Sequence, residues 1–458
     1  MNNNRRKFLT SSTALTASAL AANLGTWGVE SANAQAASGY KAIVCVFLFG
    51  GSDSNNMIVP VTDYAAYEAT RTVASTVGIP QAQLLPFAPP SAGKSYGFHP
   101  SMSSIAPLFG TGQLAVIANS GTLLAPLTKA QYQSGMNRPP NLFSHSDQTD
   151  QWQGLLPGTP SRSGWGGRMA DKLIAANTGQ LIPSAVSITG SQIFTSGNVT
   201  APLVVPSNGI VTVSGQGTGT DPVSNARFAA LSAMAQSADP SSQVVSGAAS
   251  VLGRALLANA TANPLLNMTP PNVAAAFPAT VTNTGIGQQM RQVARLIEGR
   301  ASTGVKRQFF FVGVGGYDTH SNTVINQTNL FNQLFPAMRA LYNYTVAAGV
   351  ANDVVQVTLS DFNRTFIGNA NQGVDHAWGG HQVVLGGGVK GGDMYGSFTD
   401  LVVTGPQDSG RNGSWIPGIS VDQVGGTLGS WLGMPGTDIA QVFPNLTNFS
   451  TKNLGFML

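Results

Sequence analysis

The sequence predicts an α/β fold: a doubly wound, mostly parallel central sheet with helices on both faces and a β-rich, partly helical insertion. Three observations predict it. Several apolar runs lack the alternation of a half-exposed strand, which marks strands covered on both faces. Helical patterns separate several of these runs, the order that builds strand–helix–strand units. Polar motifs rich in Asp, His and Gly follow the runs directly, where open α/β sheets place their sites.

The strand runs are Ala42–Phe49, Leu114–Ala118, Ala185–Ile188, Gln308–Val314 and Val354–Leu359, with Gln382–Leu385 and Leu401–Val403 as weaker members. The single cysteine, Cys45, lies inside the first run and reads as a buried strand residue. Helical spacing is clearest over Asn322–Ala347, where Leu330, Leu334, Met338 and Leu341 share a face. Asn225–Gln236, Val244–Asn259 and Ile286–Arg300 are further helices. Thr200–Val223 is rich in Val, Pro, Gly, Ser and Thr, and with the helices up to Arg300 it reads as an insertion or cap at about 200–300 in a single domain spanning 35–458.

The chain opens with Asn4-Arg5-Arg6-Lys7-Phe8-Leu9, a twin-arginine pattern, then a weakly apolar run to Leu24 and a small-residue cleavage site at Ala32-Asn33-Ala34. A signal peptide over residues 1–34 implies passage through the twin-arginine translocase to a periplasmic or secreted location. Its removal takes three basic residues and one acidic residue from totals of 23 and 19, so the net charge falls from +4 to +2. No basic run remains, which excludes a nucleic-acid-binding surface of the usual kind. No later stretch reads as transmembrane, and one cysteine excludes thiolate zinc and iron–sulfur sites.

All five histidines lie in short polar motifs: YGFHP (His99), FSHSD (His145), GGYDTH (His320) and GVDHAWGGH (His376 and His381). Only 9% of residues are charged, so this recurrence of Asp beside His stands out. Converging Asp and His side chains build hydrolytic metal sites, although Asp also caps turns and His also satisfies buried carbonyls. Asp53, Asp318 and Asp361 each follow an apolar run, which delivers three carboxylates to one sheet edge. Ser144 precedes a helix-like stretch and is either an N-cap or a nucleophile; His145 is a base, a ligand or a substrate contact. Arg168 and Arg364 are candidate clamps for an anionic group, against a salt bridge for the first and a hold on Asp361 for the second. His99, before Pro100, reads as structural, and Asp375 and His381 as outer partners of His376.

The ordered motifs GGSDSNNMIVP, YGFHPSM, LFSHSDQTDQW, GWGGR, GGYDTH, SDFNRT, GVDHAWGG and GGGVKGGDMYG resemble the exported bacterial "domain of unknown function 1501" family over nearly the whole mature chain. That family looks like a remote branch of the alkaline phosphatase and sulfatase superfamily. The resemblance implies an alkaline phosphatase-like fold, one or two divalent ions and a small anionic ester as substrate. It groups Asp318, His320 and His376 around one ion and Asp53, Ser144 and Asp361 around another. The chain departs from the family in Asp361, where Glu is usual, in Asn363 for a glycine and in Met57 for a threonine; Asp318-Thr319-His320 is tighter than the superfamily's spacing. His with carboxylates suits Zn²⁺ or Mn²⁺, and fewer His would suit Ca²⁺ or Mg²⁺. The implied function is an exported metal-dependent hydrolase of phosphate or sulfate esters; the alternative is a non-catalytic surface, assembly or metal-binding protein that keeps the fold.

Overall fold

A computed structural model describes residues 39–155, 161–213, 221–237 and 239–458. The twin-arginine segment and its cleavage site lie outside the described residues.

The centre is one nine-stranded sheet. Its strands are β1 (Lys41–Leu48), β2 (Leu114–Gly121), β3 (Ala185–Ser187), β4 (Leu203–Val204), β5 (Arg307–Val314), β6 (Val354–Ser360), β7 (Gly380–Leu385), β8 (Met394–Tyr395) and β9 (Ile419–Ser420). The order is β8-β2-β7-β6-β1-β5-β3-β4, with β9 also pairing β2. Every pairing is parallel except the two made by β7, with β2 and with β6. β1 sits in the middle, in register with β5 (Val44 opposite Phe310) and β6 (Val44 opposite Gln356).

The unbroken apolar runs arise because both faces are covered. Ala42, Val44, Val46 and Leu48 of β1 point into one core; Ile43, Cys45 and Phe47 point into the other. The first core is closed by α5 (Gly285–Glu298) and α6 (Thr323–Ala347), through Met290, Val293, Leu334 and Met338. The second is closed by α2 (Trp165–Lys172) and α7 (Val421–Trp431), through Met169 and Leu428. Burying such a side chain stabilises the fold by roughly 1.5–3 kcal/mol, so neither face tolerates a polar substitution cheaply. The architecture is therefore the doubly wound, mostly parallel α/β fold expected from the sequence.

Leu401–Val403 is the failed strand. Leu401 has φ 55 and Thr404 φ 67, left-handed values that break extension, and Val402 is exposed. The stretch 200–300 divides into two parts. β4 and α5 belong to the central layers, whereas α3 (Pro222–Ala235) and α4 (Gln243–Asn267) form a hairpin with little buried surface. By length and composition α4 is apolar enough to cross a bilayer, contrary to the sequence reading of no such segment.

Candidate metal centre

Three neighbouring parallel strands, β1, β5 and β6, end at the same edge and release the loops that carry the site. The loop after β1 runs Gly50-Gly51, with φ of 106 and 77. A Cβ on Gly50 would stand 2.6 Å from the Asp318 backbone nitrogen, so only glycine lets the first two loops meet. The Gly50 N–H donates to Asp361 Oδ2 at 3.0 Å, which ties the third loop to the first. His376 arrives on the connection from β6 to β7, backbone-bridged to Arg364. His145 arrives from the first turn of α1 (His145–Gly154).

These pieces assemble around one oxygen. Asp318 Oδ1 lies 3.4 Å from His145 Nε2, 3.0 Å from His320 Nε2 and 3.5 Å from His376 Nε2. The Nε2 atoms of His320 and His376 are 2.9 Å apart. The ligand atoms of His145, Asp318 and His376 all lie within 4.8 Å of one another. Each imidazole is held from behind. His376 Nδ1 meets the Phe143 carbonyl at 2.7 Å, His145 Nδ1 meets Asp361 Oδ2 at 2.7 Å, and His320 Nδ1 meets Asp375 Oδ1 at 3.0 Å. A carbonyl only accepts, so His376 carries its proton on Nδ1 and turns a lone pair inward at Nε2. Asp361 and Asp375 face Nδ1 of His145 and His320, while Asp318 Oδ1 faces the Nε2 of both.

His145, Asp318 and His376 thus present a donor set of the kind that holds a cation, with His320 against Asp318 and His376 at its rim. His145 Nε2 and Asp361 Oδ1 are buried without hydrogen-bond partners. Tetrahedral ligands with bonds of about 2.0–2.1 Å stand roughly 3.3–3.4 Å apart, close to the spacings from Asp318 to the three imidazoles. Backing of each ring by an acceptor is the usual second layer of a histidine metal site. The residues fit a divalent ion.

The charges are set to match. Burial pushes the Asp318 carboxyl up, but the Arg364 hydrogen bond and charge, with His320 and His145, bring it below its ordinary range. Burial is also the largest influence on His376; with the charges of Arg364, His145 and His320 it lowers the imidazole against the opposing Phe143 carbonyl. Burial raises Asp361 despite bonds from His145, Gly50 and Thr149. Arg364 has a fully buried side chain that donates to the carbonyls of Gly50, Gly51 and Val374 and to Asp318. Four of its five N–H groups are taken in this way and the side chain is wholly buried, so it fixes loops and charge rather than presenting a clamp to a substrate.

The other expected residues have different neighbours. Asp53 is fully buried in an ion pair with Arg71, which also donates to Thr365 and Phe366 carbonyls. Ser144 caps α1, accepting from the Asp147 N–H and donating to the Asp147 carboxylate. Asp361 touches His145 instead, so Asp53, Ser144 and Asp361 do not assemble a second ion site. Arg168 donates to the carbonyls of Ser163, Gly154 and Val442, and burial lowers it to about 10. It is a buried tie, since those carbonyls occupy both terminal nitrogens. His381 is also away from the cluster: it accepts from the Asn119 N–H and stacks on Phe398. His99 is buried, accepting from Ser101.

An open cleft of about 590 Å³ borders the cluster at Gly50, His145, Asp318 and Asp361. Its walls add Thr149, Asp150, Gln153 and Gln192, with Phe49 and Ile193 as apolar patches. The lining contains three carboxylates and no Lys or Arg among the described residues. Sequence reasoning missed Thr149 and the Phe143 carbonyl. Phe143 holds φ 74, a strained value for a bulky residue, and that twist accompanies the carbonyl's approach to His376.

Fold and site thus define an α/β protein with a histidine-rich candidate metal centre at the carboxyl edge of its sheet. Residues 40–408 match the family described as "Protein of unknown function (DUF1501)", and the chain belongs to that family. No curated protein sequence matches it. Among solved structures, it is similar to the PsFucS1 sulfatase from Pseudoalteromonas sp., at 8% identity over 91% of this chain and 73% of that one, with a TM-score of 0.35. It is similar also to Ps i-CgsB, crystallised in complex with k-i-k-neocarrahexaose, at 8% identity over 89% and 77%, with a TM-score of 0.33.

Proposed function

We propose that the chain is an exported metal-dependent hydrolase of phosphate or sulfate esters, with His145, Asp318, His320 and His376 holding one divalent ion. The observation that carries this reading is the convergence of three Nε2 atoms on Asp318 Oδ1, each ring braced at Nδ1. Three nitrogens and one oxygen suit Zn²⁺ better than Ca²⁺ or Mg²⁺. A bound ion supplies Lewis acidity where the cleft meets the cluster. Asp361 and Asp375 orient His145 and His320, and Arg364 keeps Asp318 ionised. The cleft takes the body of the ester, with Phe49 and Ile193 against its apolar parts. Because the lining is acidic, the ion has to compensate the negative charge of the ester, and metal-free protein should repel it. Water is the attacking group in this reading, because the Ser144 hydroxyl donates to Asp147 in its capping turn. The twin-arginine pattern supports export with the ion already in place.

The test is elemental analysis of protein recovered from its export route, followed by hydrolysis assays on an aryl phosphate and an aryl sulfate. One equivalent of zinc or manganese and turnover of one ester class is the expected result. Metal-free native protein, inert toward both esters with Zn²⁺, Mn²⁺, Mg²⁺ and Ca²⁺, would favour the non-catalytic alternative.

A further inference from the structure

Helix α1 starts at the metal centre and forms one wall of the cleft. Ser146, Thr149, Asp150 and Gln153 line it, at the spacing of a single helix face, with His145 at the end beside Asp318. Asp150 is the charge on this wall that the metal centre leaves unused. Asp318 is held by Arg364, and Asp361 by His145. Asp150 accepts the Ser161 N–H, through Oδ1 at 3.2 Å and Oδ2 at 3.0 Å. The charge that acts on it is a second carboxylate, Asp147, three residues back on the same helix. An asparagine would hold the same N–H without that repulsion, so the fold alone gives no reason for a carboxylate here. Asp361, only 2% exposed, also lines the cleft and keeps Oδ1 without a hydrogen-bond partner. No Lys or Arg among the described residues lines the cleft to neutralise either group, and Phe49 adds an aromatic ring.

We infer that the cleft selects esters of short amino alcohols, with the cationic nitrogen held by Asp150 and the Phe49 ring. The ester end of this assignment rests on the hydrolase reading; the cation pocket stands on the cleft alone. A carboxylate beside an aromatic surface is the chemistry that recognises an ammonium group. An anionic body, such as a sulfated sugar chain, would meet the same wall with repulsion. A neutral body would leave Asp150 unpaired. The spacing sets the length of the ligand. His145 and Asp150 are five residues apart on α1, about 7.5 Å of axial rise, which suits a linker of about two or three carbons between the ester oxygen and the nitrogen.

Isothermal titration of the zinc-loaded exported chain with choline, and with the uncharged isostere in which carbon replaces nitrogen, reads this pocket without turnover. Choline should bind at least about tenfold more tightly than the isostere. Asp150→Asn keeps an acceptor for Ser161 and should erase the preference, whereas Asp150→Glu should retain most of it. Zinc content and circular dichroism check that each variant is folded. Phosphocholine or choline sulfate should exceed the matching ester of the isostere in kcat/KM by a similar factor. Equal affinity of the wild type for choline and the isostere overturns the inference even where aryl esters are hydrolysed, and assigns the cleft to a neutral body. A preference that survives Asp150→Asn overturns it too. A preference lost in Asp150→Asn, in protein inert toward every ester, upholds the cation pocket and removes the hydrolase reading instead.

Discussion

Gly50-Gly51-Ser52-Asp53 and Gly315-Gly316-Tyr317-Asp318 are the same local pattern on adjacent parallel strands, yet the two aspartates meet opposite fates. Asp53 is fully buried against Arg71, and its charge is spent inside the fold. Asp318 is half exposed, faces the cleft and gathers three imidazoles. A glycine pair and a carboxylate after a strand therefore make a position, and the neighbours decide whether it becomes a brace or a site. Arg71 comes from a helical turn packed behind the first loop; Arg364 donates to Asp318 Oδ1 from one side and leaves that same oxygen open to the three histidines.

The largest contrast should be in stability. Arg71→Ala strands a buried carboxylate and should cost about 3–5 kcal/mol. Asp318→Asn keeps an acceptor for Arg364 but removes the charge opposite that buried guanidinium, so it should cost less, about 1–3 kcal/mol in metal-free protein. Urea unfolding of both variants checks this; equal losses would mean the two loops do the same job.

The histidines divide in the same way. Burial lowers His99 to about 4 and His381 to about 3, and neither belongs to the cluster. Both folded values lie below the unfolded reference of about 6.5, so the unfolded chain takes up more protons as pH falls. Their contribution is therefore fully present above pH 6.5 and is lost as pH drops toward 4, by roughly 3 kcal/mol for His99 alone. In chelated protein, His99→Gln should flatten the dependence of the urea midpoint between pH 7 and 4.5. An unchanged slope would show that His99 is not held neutral by burial.

Smaller effects should separate the braces from the ligands. Asp361→Asn and Asp375→Asn leave the rings of His145 and His320 in place but weaken their orientation, so zinc affinity should fall about 10–100-fold. The loss should be larger for Asp361, which is buried and also bonds Gly50. Competition with a chromogenic chelator measures both; full affinity in Asp361→Asn would remove it from the centre.

Much of this was legible in the chain. Unalternating apolar runs located β1, β2, β5 and β6 because burial on both faces removes the need for polar positions. The Asp and His motifs named every residue of the cluster, since loops at a parallel sheet's carboxyl edge converge whatever their separation in sequence. What stayed hidden depends on contacts without a local signature. Arg71 sits in an unremarkable TRTV stretch, so the ion pair that removes Asp53 from the cluster could not be read. The carbonyl that fixes His376 belongs to Phe143, and a backbone atom leaves no mark in a sequence. β4, β8 and β9 are two residues each, too short for any period to show.

The comparison turns on where an ion binds, and X-ray absorption at the zinc edge of reconstituted protein tests that most directly. About three nitrogens and one oxygen at roughly 2.0–2.1 Å, lost in Asp318→Ala and kept in Asp53→Asn, is the result this account predicts. An all-oxygen shell, or an ion that follows Asp53 rather than Asp318, would contradict it.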